Sequence, residues 1–341
     1  MTVTASTLRI GTRASRLARA QSRAVGERLA ASMGARVELV DVTTRGDIDS
    51  APLAVIGGQG VFVSAVREAL LAGSVDVCVH SLKDLPTAPA EGIELAAVPL
   101  REDPRDAVVG RDGMTLAELP SGARIGTGSP RRAAQLRALG LGLDVVDARG
   151  NVETRLRLVR GLGSPAAGSP DSGTLDAVVL ARAGLARLGH LDMITEVLDP
   201  LQMLPAPGQG ALAVECRAGD AVAGEVCAAL DDPDSRTAVT AERALLAAVE
   251  AGCSAPVGAL AEVAWTDGPD GAGDTDDTDD TDDTDELWLR AVVVAPAGSP
   301  QLRHSATGPT ADPAAVGRRL AQHLLDDGAA DLIGPARAGV T

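Results

Sequence analysis

The chain has 341 residues, long enough for two or three domains with buried cores, and its 45% hydrophobic and 23% charged residues are typical of a soluble globular protein. Its net charge of −16 does not by itself exclude anionic ligands, because residues 267–286 carry eleven acids and no base, which leaves about −5 (−16 + 11) on the rest. No apolar stretch approaches the roughly twenty residues of a membrane span, and no cationic start leads into an apolar run, so we expect a cytoplasmic protein.

In chain order, short β-branched runs alternate with helical patterns, which predicts α/β units around largely parallel sheets. The predicted strands are Leu8–Gly11, Arg36–Val42, Val75–Val79, Ile93–Val98, Arg124–Gly126, Leu143–Val146 and Asp176–Leu180. The predicted helices are Arg16–Ala31, Val61–Ala72, Pro130–Leu139, Val152–Val159 and Arg236–Val249. After the last of these, two strand-like runs, Val257–Trp265 and Glu286–Val294, and a terminal helix near Asp312–Leu325 predict a separate small α+β domain.

Two segments have compositions that predict flexible excursions. Asp267–Glu286 is built around a repeated Asp-Asp-Thr unit with no apolar residue in its core, and we expect a disordered loop within a hairpin rather than a metal site. Gly161–Gly173 is rich in Gly, Ser and Pro and is interpreted in the same way.

Arginines gather in turns that follow predicted strands, where open α/β sheets bind ligands. These turns are Gly11–Arg16, Thr43–Asp47, Gly126–Arg132 and Ala148–Asn151, the last followed by Arg155. Arginine selects carboxylates and phosphates through paired hydrogen bonds, whereas nucleic-acid grooves also need stacking rings, and this chain has one Phe, two Trp and no Tyr. The pattern therefore predicts a small ligand with several carboxylates or phosphates. The Gly126–Arg132 turn lacks the spacing of a nucleotide P-loop.

Helix starts support the same interpretation. Ser15 is a plausible N-cap and Pro130 suits a first helical position, so free backbone N–H groups at both turns can face an anion. Arg16, Arg19 and Arg23 recur at helical spacing and are interpreted as a solvated face.

Lys83 is the only lysine among the 31 basic residues, and Asp84 follows it. Arginine would serve equally on a solvated face, so a compact ammonium beside a carboxylate indicates a chemical task. Asp84 could stabilise a cation on a ligand or transfer protons, although a turn-capping aspartate is the alternative. We interpret His80 as a packed or capping histidine.

Two further residues have two interpretations each. Phe62 follows a glycine-rich loop and could belong to a lid or to the core. Cys253 lies in the small-residue turn Glu250–Pro256 and could be a nucleophile when ionised. The other cysteines, Cys78, Cys216 and Cys227, are interpreted as buried packing thiols, and the four together form no CxxC pair, disulfide framework or zinc site.

Four ordered motifs are the most specific features of the chain, namely Val79–Pro86, Arg101–Ala107, Ala148–Val152 and Pro207–Ala211. With them, the sequence resembles the hydroxymethylbilane synthase, or porphobilinogen deaminase, family from Arg9 to Ala291. The resemblance implies two periplasmic-binding-protein-like α/β domains plus a small C-terminal α+β domain. It places domain 1 at 1–100 and 200–219, domain 2 at 101–199 and domain 3 at 220–341, with hinges near Pro99–Arg105 and Asp199.

The resemblance also implies an activity in porphyrin, or tetrapyrrole, and heme biosynthesis. Four porphobilinogen molecules lose ammonia and are joined in steps on a dipyrromethane cofactor, and hydrolysis then releases hydroxymethylbilane. A thioether from Cys253 would hold the cofactor. We expect a monomer that takes porphobilinogen as substrate and binds no metal, nucleic acid or membrane.

The roles of site residues are carried over by motif. Asp84 and Lys83 would be catalytic, with Asp84 stabilising the pyrrole N–H groups and the azafulvenium cation. The cofactor would contact Cys253, Lys83, Asp84, Thr127, Ser129, Arg131 and Arg132. The substrate carboxylates would contact Arg13, Ser15, Arg149, Gly150 and Arg155, beneath a lid containing Phe62.

The chain departs from the family at Val55 and Gln59, where many members have lysines, and at Ala251, where glycine is common. Two other classes stay open. A non-catalytic polycarboxylate-binding protein would use the same arginines without Cys253, and a phosphate-directed enzyme would use the Gly126–Arg132 turn without a pyrrole adduct.

Overall fold

The computed structural model describes residues 7–33, 36–42, 63–162, 174–251, 255–264 and 285–333. Several predicted features lie outside these ranges: Val55, Gln59, Phe62, Cys253, the turn 43–47, residues 163–173 and the acidic stretch 267–284.

Within the described ranges, the strands form three sheets. The strands are β1 Thr7–Arg13, β2 Arg36–Val42, β3 Val77–Ser81, β4 Ile93–Ala97, β5 Asp106–Gly110, β6 Arg124–Gly126, β7 Asp144–Val146, β8 Ala177–Ala181, β9 Glu196–Val197, β10 Leu212–Arg217, β11 Val257–Ala264, β12 Glu286–Val294 and β13 Gln301–Pro309. The helices are α1 Arg16–Met33, α2 Ser64–Leu71, α3 Pro130–Ala138, α4 Val152–Arg157, α5 Arg182–Arg187, α6 Ala221–Ala228, α7 Pro233–Ala248, α8 Pro313–Asp326 and α9 Ala329–Ile333.

Two five-stranded sheets share one topology. Their strand orders are β2-β1-β3-β10-β4 and β7-β6-β8-β5-β9, and the third sheet is an antiparallel β11-β12-β13. Two α/β units and a small C-terminal α+β unit confirm the predicted fold class. We call them the first, second and third units.

Four of the five strands in each large sheet run in the same direction, which confirms the expectation of largely parallel sheets, whereas β10 and β5 run antiparallel to both of their neighbours. The cause is the route of the chain between the units. β5 is the first strand after the chain leaves the first unit and β10 the first after it returns, and each begins where a neighbouring strand ends: Asp106 pairs with Ala181 and Leu212 with Ser81. Both strands therefore start at the edge of the sheet where their neighbours end, and they run in the opposite direction.

The sequence Arg-Ile-Gly-Thr occurs twice, at 9–12 within β1 and at 124–127, which comprises β6 and the residue after it. Each copy opens in the same way: the backbone N–H of Arg9 donates to Asp76 Oδ2 at 3.0 Å, and that of Arg124 donates to Asp176 Oδ2 at 2.8 Å. Each copy leads into a turn and a helix with a serine N-cap. The same short sequence thus builds the same strand, turn and helix start in both units.

The third unit packs α7 and α8 on its sheet around buried leucines such as Leu245, Leu287 and Leu320. Helix α7 begins three residues before its predicted start because Asp232 caps it by accepting from Ser235 N, and a proline occupies the first turn. Helix α6 packs instead against β4 and β10, with Cys227 in the core of the first unit. We therefore group α6 with the first unit, although residue 220 is the predicted start of domain 3.

The two crossing segments, 99–105 and 199–211, are tied to the third unit by one buried carboxylate. Glu242 of α7 accepts from both terminal nitrogens of Arg101 at 2.8 and 3.0 Å, from Gly208 N at 2.6 Å and from Ala261 N at 2.8 Å. Its side chain is fully buried. One residue of the third unit thus fixes both chain crossings between the other two.

Candidate functional site

The site is built where strands of the two large sheets end, next to the crossing segments. After β3 the chain forms a single 3₁₀ turn over Leu82–Asp84, in which Leu82 is fully buried and its N–H donates to Ala211 O at 3.1 Å. Leu82 therefore anchors the turn, while Lys83 is half-buried and Asp84 is exposed. The sequence Leu-Pro that follows keeps Leu85 extended, as the turn prediction requires.

A small open pocket of about 70 Å³ lies beside Asp84. Its polar lining comes from Arg13, Ser15, Gln21, His80, Ser81 and Asp84. The structure thus brings three predicted site residues of the first unit together, since Arg13 and Ser15 follow β1 and Asp84 follows β3. Ser15 caps α1 by accepting from Ala18 N at 3.2 Å.

Three polar pocket residues, Gln21, His80 and Ser81, were not predicted to belong to the site. Gln21 lies on α1 and donates through Nε2 to Ser81 Oγ at 2.9 Å, which joins the helix to the end of β3. His80 is buried, in agreement with its interpretation as a packed histidine, and its Nε2 lies 3.4 Å from Glu215 Oε2. Arg67 donates to both oxygens of the same carboxylate, from Nε to Oε2 at 2.9 Å and from Nη2 to Oε1 at 2.5 Å.

Glu215 is a buried carboxylate that contacts His80 of the pocket lining. Burial favours the neutral acid, but hydrogen bonds from Arg67 and His80 prevail and lower the pKa of Glu215 to about 2. The carboxylate is therefore charged at neutral pH, and its contact with His80 helps to hold the end of β3 in place.

Lys83 links the first unit to the second. Its Nζ donates to Gln209 Oε1 at 3.3 Å. Burial, and next the nearby positive charge of Arg132, lower the pKa of Lys83 to about 8. The negative charges of Asp84 and Asp106 oppose this shift. An ammonium with this pKa is held in a position where its charge is only partly neutralised.

Gln209 is the residue through which Lys83 reaches the second unit. Its Oε1 also accepts from Arg132 Nη2 at 3.3 Å, and its Nε2 donates to Asp106 Oδ1 and to Pro104 O, both at 2.7 Å. Sequence reasoning gave it no role. The available signal was its place between two glycines in the motif Pro207–Ala211.

Arg131 and Arg132 begin α3, and both are buried with Asp106. Arg131 Nη2 lies 2.8 Å from one carboxylate oxygen of Asp106, and Arg132 Nη2 lies 2.8 Å from the other. Burial alone would raise the pKa of Asp106, but the two guanidinium groups hold it well below its usual range. Two cations share one carboxylate, so the cluster keeps an excess positive charge.

The turn before α3 is shaped by backbone contacts. Thr127 is buried, and its Oγ1 accepts from Ser129 N at 3.2 Å, while Ser129 Oγ accepts from Arg132 N at 3.4 Å as the helix cap. A Cβ on Gly128 would lie 2.9 Å from Ala148 O, so only glycine lets the two turns approach this closely.

The neighbouring turn carries the remaining predicted residues. Arg149 is exposed and donates to Asp147 Oδ2 at 2.6 Å, and Gly150 has a φ of 98°, which favours glycine. Burial, with help from Arg132, lowers the pKa of Arg155 to about 10. Its Nε is buried and has no hydrogen-bond partner among the described residues.

This arrangement suits an anionic ligand. The six cations Arg13, Lys83, Arg131, Arg132, Arg149 and Arg155 are accompanied by three carboxylates, Asp84, Asp106 and Asp147. Buried guanidinium groups in a cation excess are stabilised by carboxylates that fit their planar forks. Asp84 is exposed, so it can meet a positive charge on the ligand. The described residues include no group of three or more metal-ligating His, Cys, Asp or Glu.

Comparison with known proteins gives matches over most of the chain. The family model "Porphobilinogen deaminase, dipyromethane cofactor binding domain" matches residues 8–225, and "Porphobilinogen deaminase, C-terminal domain" matches residues 236–326. A porphobilinogen deaminase of Nocardia farcinica is 53% identical over 330 residues, covering 97% of this chain and 89% of its own. One of Mycobacterium tuberculosis is 53% identical over 326 residues, covering 96% and 98%.

Among solved structures, an ABC transporter periplasmic substrate-binding protein from Coxiella burnetii covers 66% of this chain and 92% of its own, with a TM-score of 0.40 and 16% identity. No helix in the described ranges has the length and apolar character needed to cross a membrane.

Proposed function

The chain belongs to the porphobilinogen deaminase family, and on that premise we propose that its cleft joins four porphobilinogen molecules in steps, with loss of ammonia, and releases hydroxymethylbilane by hydrolysis. The protein is thus a transferase of tetrapyrrole biosynthesis. The observation that best supports the assignment is the excess of cations, most of them buried or half-buried, in a cluster that also contains the exposed carboxylate of Asp84. Porphobilinogen carries two carboxylates and forms a cation when its ammonia departs, so it matches both features.

The family implies a dipyrromethane cofactor, and the residues present fit it. The buried Arg155 Nε has no hydrogen-bond partner within the described ranges, and Arg131 and Arg132 share a single carboxylate. When bound, the dipyrromethane supplies the pyrrole α-carbon to which the first substrate unit is joined. We assign its carboxylates to Lys83, Thr127, Ser129, Arg131 and Arg132, and its thioether to Cys253, which lies outside the described residues.

Asp84 is assigned the central catalytic role. Its carboxylate would accept hydrogen bonds from pyrrole N–H groups and stabilise the positive charge that develops as ammonia leaves. A preorganised carboxylate aimed at developing charge is a large contribution to catalysis. Lys83, beside it, would hold a carboxylate and keep the reacting ring in register with Asp84.

Arg13, Ser15, Arg149, Gly150 and Arg155 are assigned to the acetate and propionate groups of the substrate. Each sheltered arginine–carboxylate pair contributes about 1.5–3 kcal/mol. Phe62 is proposed as part of a lid over them. We further propose a cytoplasmic monomer that acts without nucleic acid or membrane. Its domains are the predicted 1–100 with 200–219, 101–199 and 220–341, amended so that α6, Ala221–Ala228, passes from the third to the first.

The test is Asp84→Asn, with Asp112→Asn as control because Asp112 is also exposed but lies away from the cleft turns. We expect Asp84→Asn to lower kcat by about 10²–10³-fold at unchanged pyrrole content, as for loss of one electrostatic group. Asp112→Asn should leave turnover unchanged. Near-normal turnover of Asp84→Asn would refute its role, and a wild type that binds porphobilinogen without consuming it would favour the binding-protein alternative.

A further inference from the structure

The starts of helices α1 and α4 meet between the first and second units. Arg16 is the first residue of α1 and Glu153 the second residue of α4, and Arg16 Nη1 lies 2.9 Å from Glu153 Oε1. The Arg16 side chain is 72% exposed and that of Glu153 is 17% exposed. Sequence reasoning interpreted Arg16 as part of a solvated face, and the structure shows that it is exposed yet paired with the other unit.

An apolar contact accompanies this ion pair. Helix α1 also contacts α5, and the space beside Gly184 of α5 is filled by Leu17 and Val152. A Cβ on Gly184 would lie 3.8 Å from Leu17 Cδ2 and 3.9 Å from Val152 Cγ2. The residues that follow Arg16 and precede Glu153 thus share one contact region on the second unit.

The pair stands between the two groups of proposed substrate-binding residues. Arg16 directly follows Ser15, and Glu153 lies between Gly150 and Arg155. Because each partner is at most three residues from a proposed carboxylate-binding residue, the ion pair sets the distance between the two groups.

Two hydrogen bonds between these units involve the crossing segments, so they hold the units together at the hinge rather than at the helix starts. Lys83 contacts Gln209 of one crossing, and Arg182 contacts Glu102 of the other at 3.0 Å. Contacts at a hinge can persist while the angle between the units changes, whereas a contact away from the hinge must break. Arg16–Glu153 is such a contact, and because the Arg16 side chain is 72% exposed and keeps its hydration, the pair is weak enough to open reversibly.

We propose that Arg16 and Glu153 form a latch between the first and second units, a pair of positioning residues that holds the carboxylate-binding turns together and opens as the product chain lengthens. The proposal rests on the proposed function. A growing chain needs more room in the cleft after each addition, and a salt-screened pair permits this without loss of the fold.

The chain offers a matched control on the same helix. Arg19 of α1 is 48% exposed and pairs with Asp41 of β2 at 2.8 and 2.5 Å, so this ion pair stays within the first unit. Arg19→Ala removes an exposed α1 ion pair of the same kind without touching the second unit.

The experiment uses the full-length, cofactor-loaded protein and the variants Arg16→Ala, Glu153→Gln, both together, and the exchange Arg16→Glu with Glu153→Arg. Small-angle X-ray scattering without substrate measures the radius of gyration, and steady-state kinetics at low salt measure KM for porphobilinogen. We expect each single variant to enlarge the radius of gyration and raise KM by roughly two- to fivefold, the range of an exposed ion pair. The double variant should be no worse than either single one, and the exchange should restore both values.

High salt should bring wild-type KM toward that of the single variants, because exposed pairs are screened. If the single variants match Arg19→Ala in scattering and KM, or if their effects multiply in the double variant, the latch is refuted. Failure of the proposed function is separate, since it means that the wild type consumes no porphobilinogen, and the scattering comparison then still decides whether the pair joins the units.

Discussion

Single residues of the site were predictable to the extent that their signal was local. Lys83 and Asp84 were found because one lysine in an arginine-rich chain precedes an aspartate in a turn. Their partners were not found: Gln209 is 126 residues from Lys83, and Glu215 is 148 residues from Arg67. Contacts over such separations depend on which strands become neighbours, and no local pattern encodes that.

The lowered pKa of Lys83 predicts a pH dependence. Its folded pKa of about 8 lies below the ordinary value of 10.5, so the ammonium is present below pH 8 and is lost as the pH rises through 8. If Lys83 holds a carboxylate of the dipyrromethane, the rate at which cofactor-free protein gains pyrrole units from porphobilinogen falls in that window. Lys83→Arg keeps its charge well above pH 10 and should remove the inflection.

The measurement is the rate at which cofactor-free wild type and Lys83→Arg gain pyrrole mass during incubation with porphobilinogen, from pH 6.5 to 9.5. Titration of porphobilinogen itself affects both proteins equally, so the difference between the two profiles isolates Lys83. An inflection of the same size in both, or in neither, would contradict the assignment.

Secondary-structure elements with β-branched or amphipathic patterns were predicted close to their observed bounds, for example α8 at 312–325 against Pro313–Asp326. β5 and β10 were missed. Each is almost wholly buried but contains a carboxylate, Asp106 or Glu215, and each carboxylate is neutralised by arginines from other elements. Charge in a buried strand breaks the pattern, and only the fold supplies its partner.

The buried carboxylate on α7 gives a prediction about stability. Glu242→Ala leaves Arg101 without its partner in a buried position, and we expect a loss of about 3–5 kcal/mol in the free energy of unfolding. Glu262→Ala is the matched control, because Glu262 pairs with Arg290 at 2.5 Å but is 60% exposed. Its loss should be about 0–1 kcal/mol.

Urea unfolding followed by circular dichroism measures both variants. Equal losses for Glu242→Ala and Glu262→Ala would show that the link from α7 to the crossing segments adds no more stability than an exposed ion pair.

At the scale of the whole molecule, the repeated strand order explains why the proposed ligand groups face one another. In both units the second strand in the sheet order, β1 or β6, carries the sequence Arg-Ile-Gly-Thr and leads to a serine-capped helix, so equivalent turns arise at equivalent strand ends. The sequence predicted the number and class of units. It did not predict β10 and β5, the one antiparallel strand in each large sheet, because their direction follows from the route of the crossings.

The central claim is that this cleft carries a covalent dipyrromethane on Cys253 and extends it with porphobilinogen. Intact mass of the purified protein, with a colour test for pyrroles and Cys253→Ser in parallel, tests the claim most directly. The account predicts a mass excess equal to a dipyrromethane, further additions of pyrrole units after brief exposure to porphobilinogen, and neither in Cys253→Ser. A folded wild type whose mass stays that of the bare polypeptide, even after incubation with porphobilinogen, would contradict it.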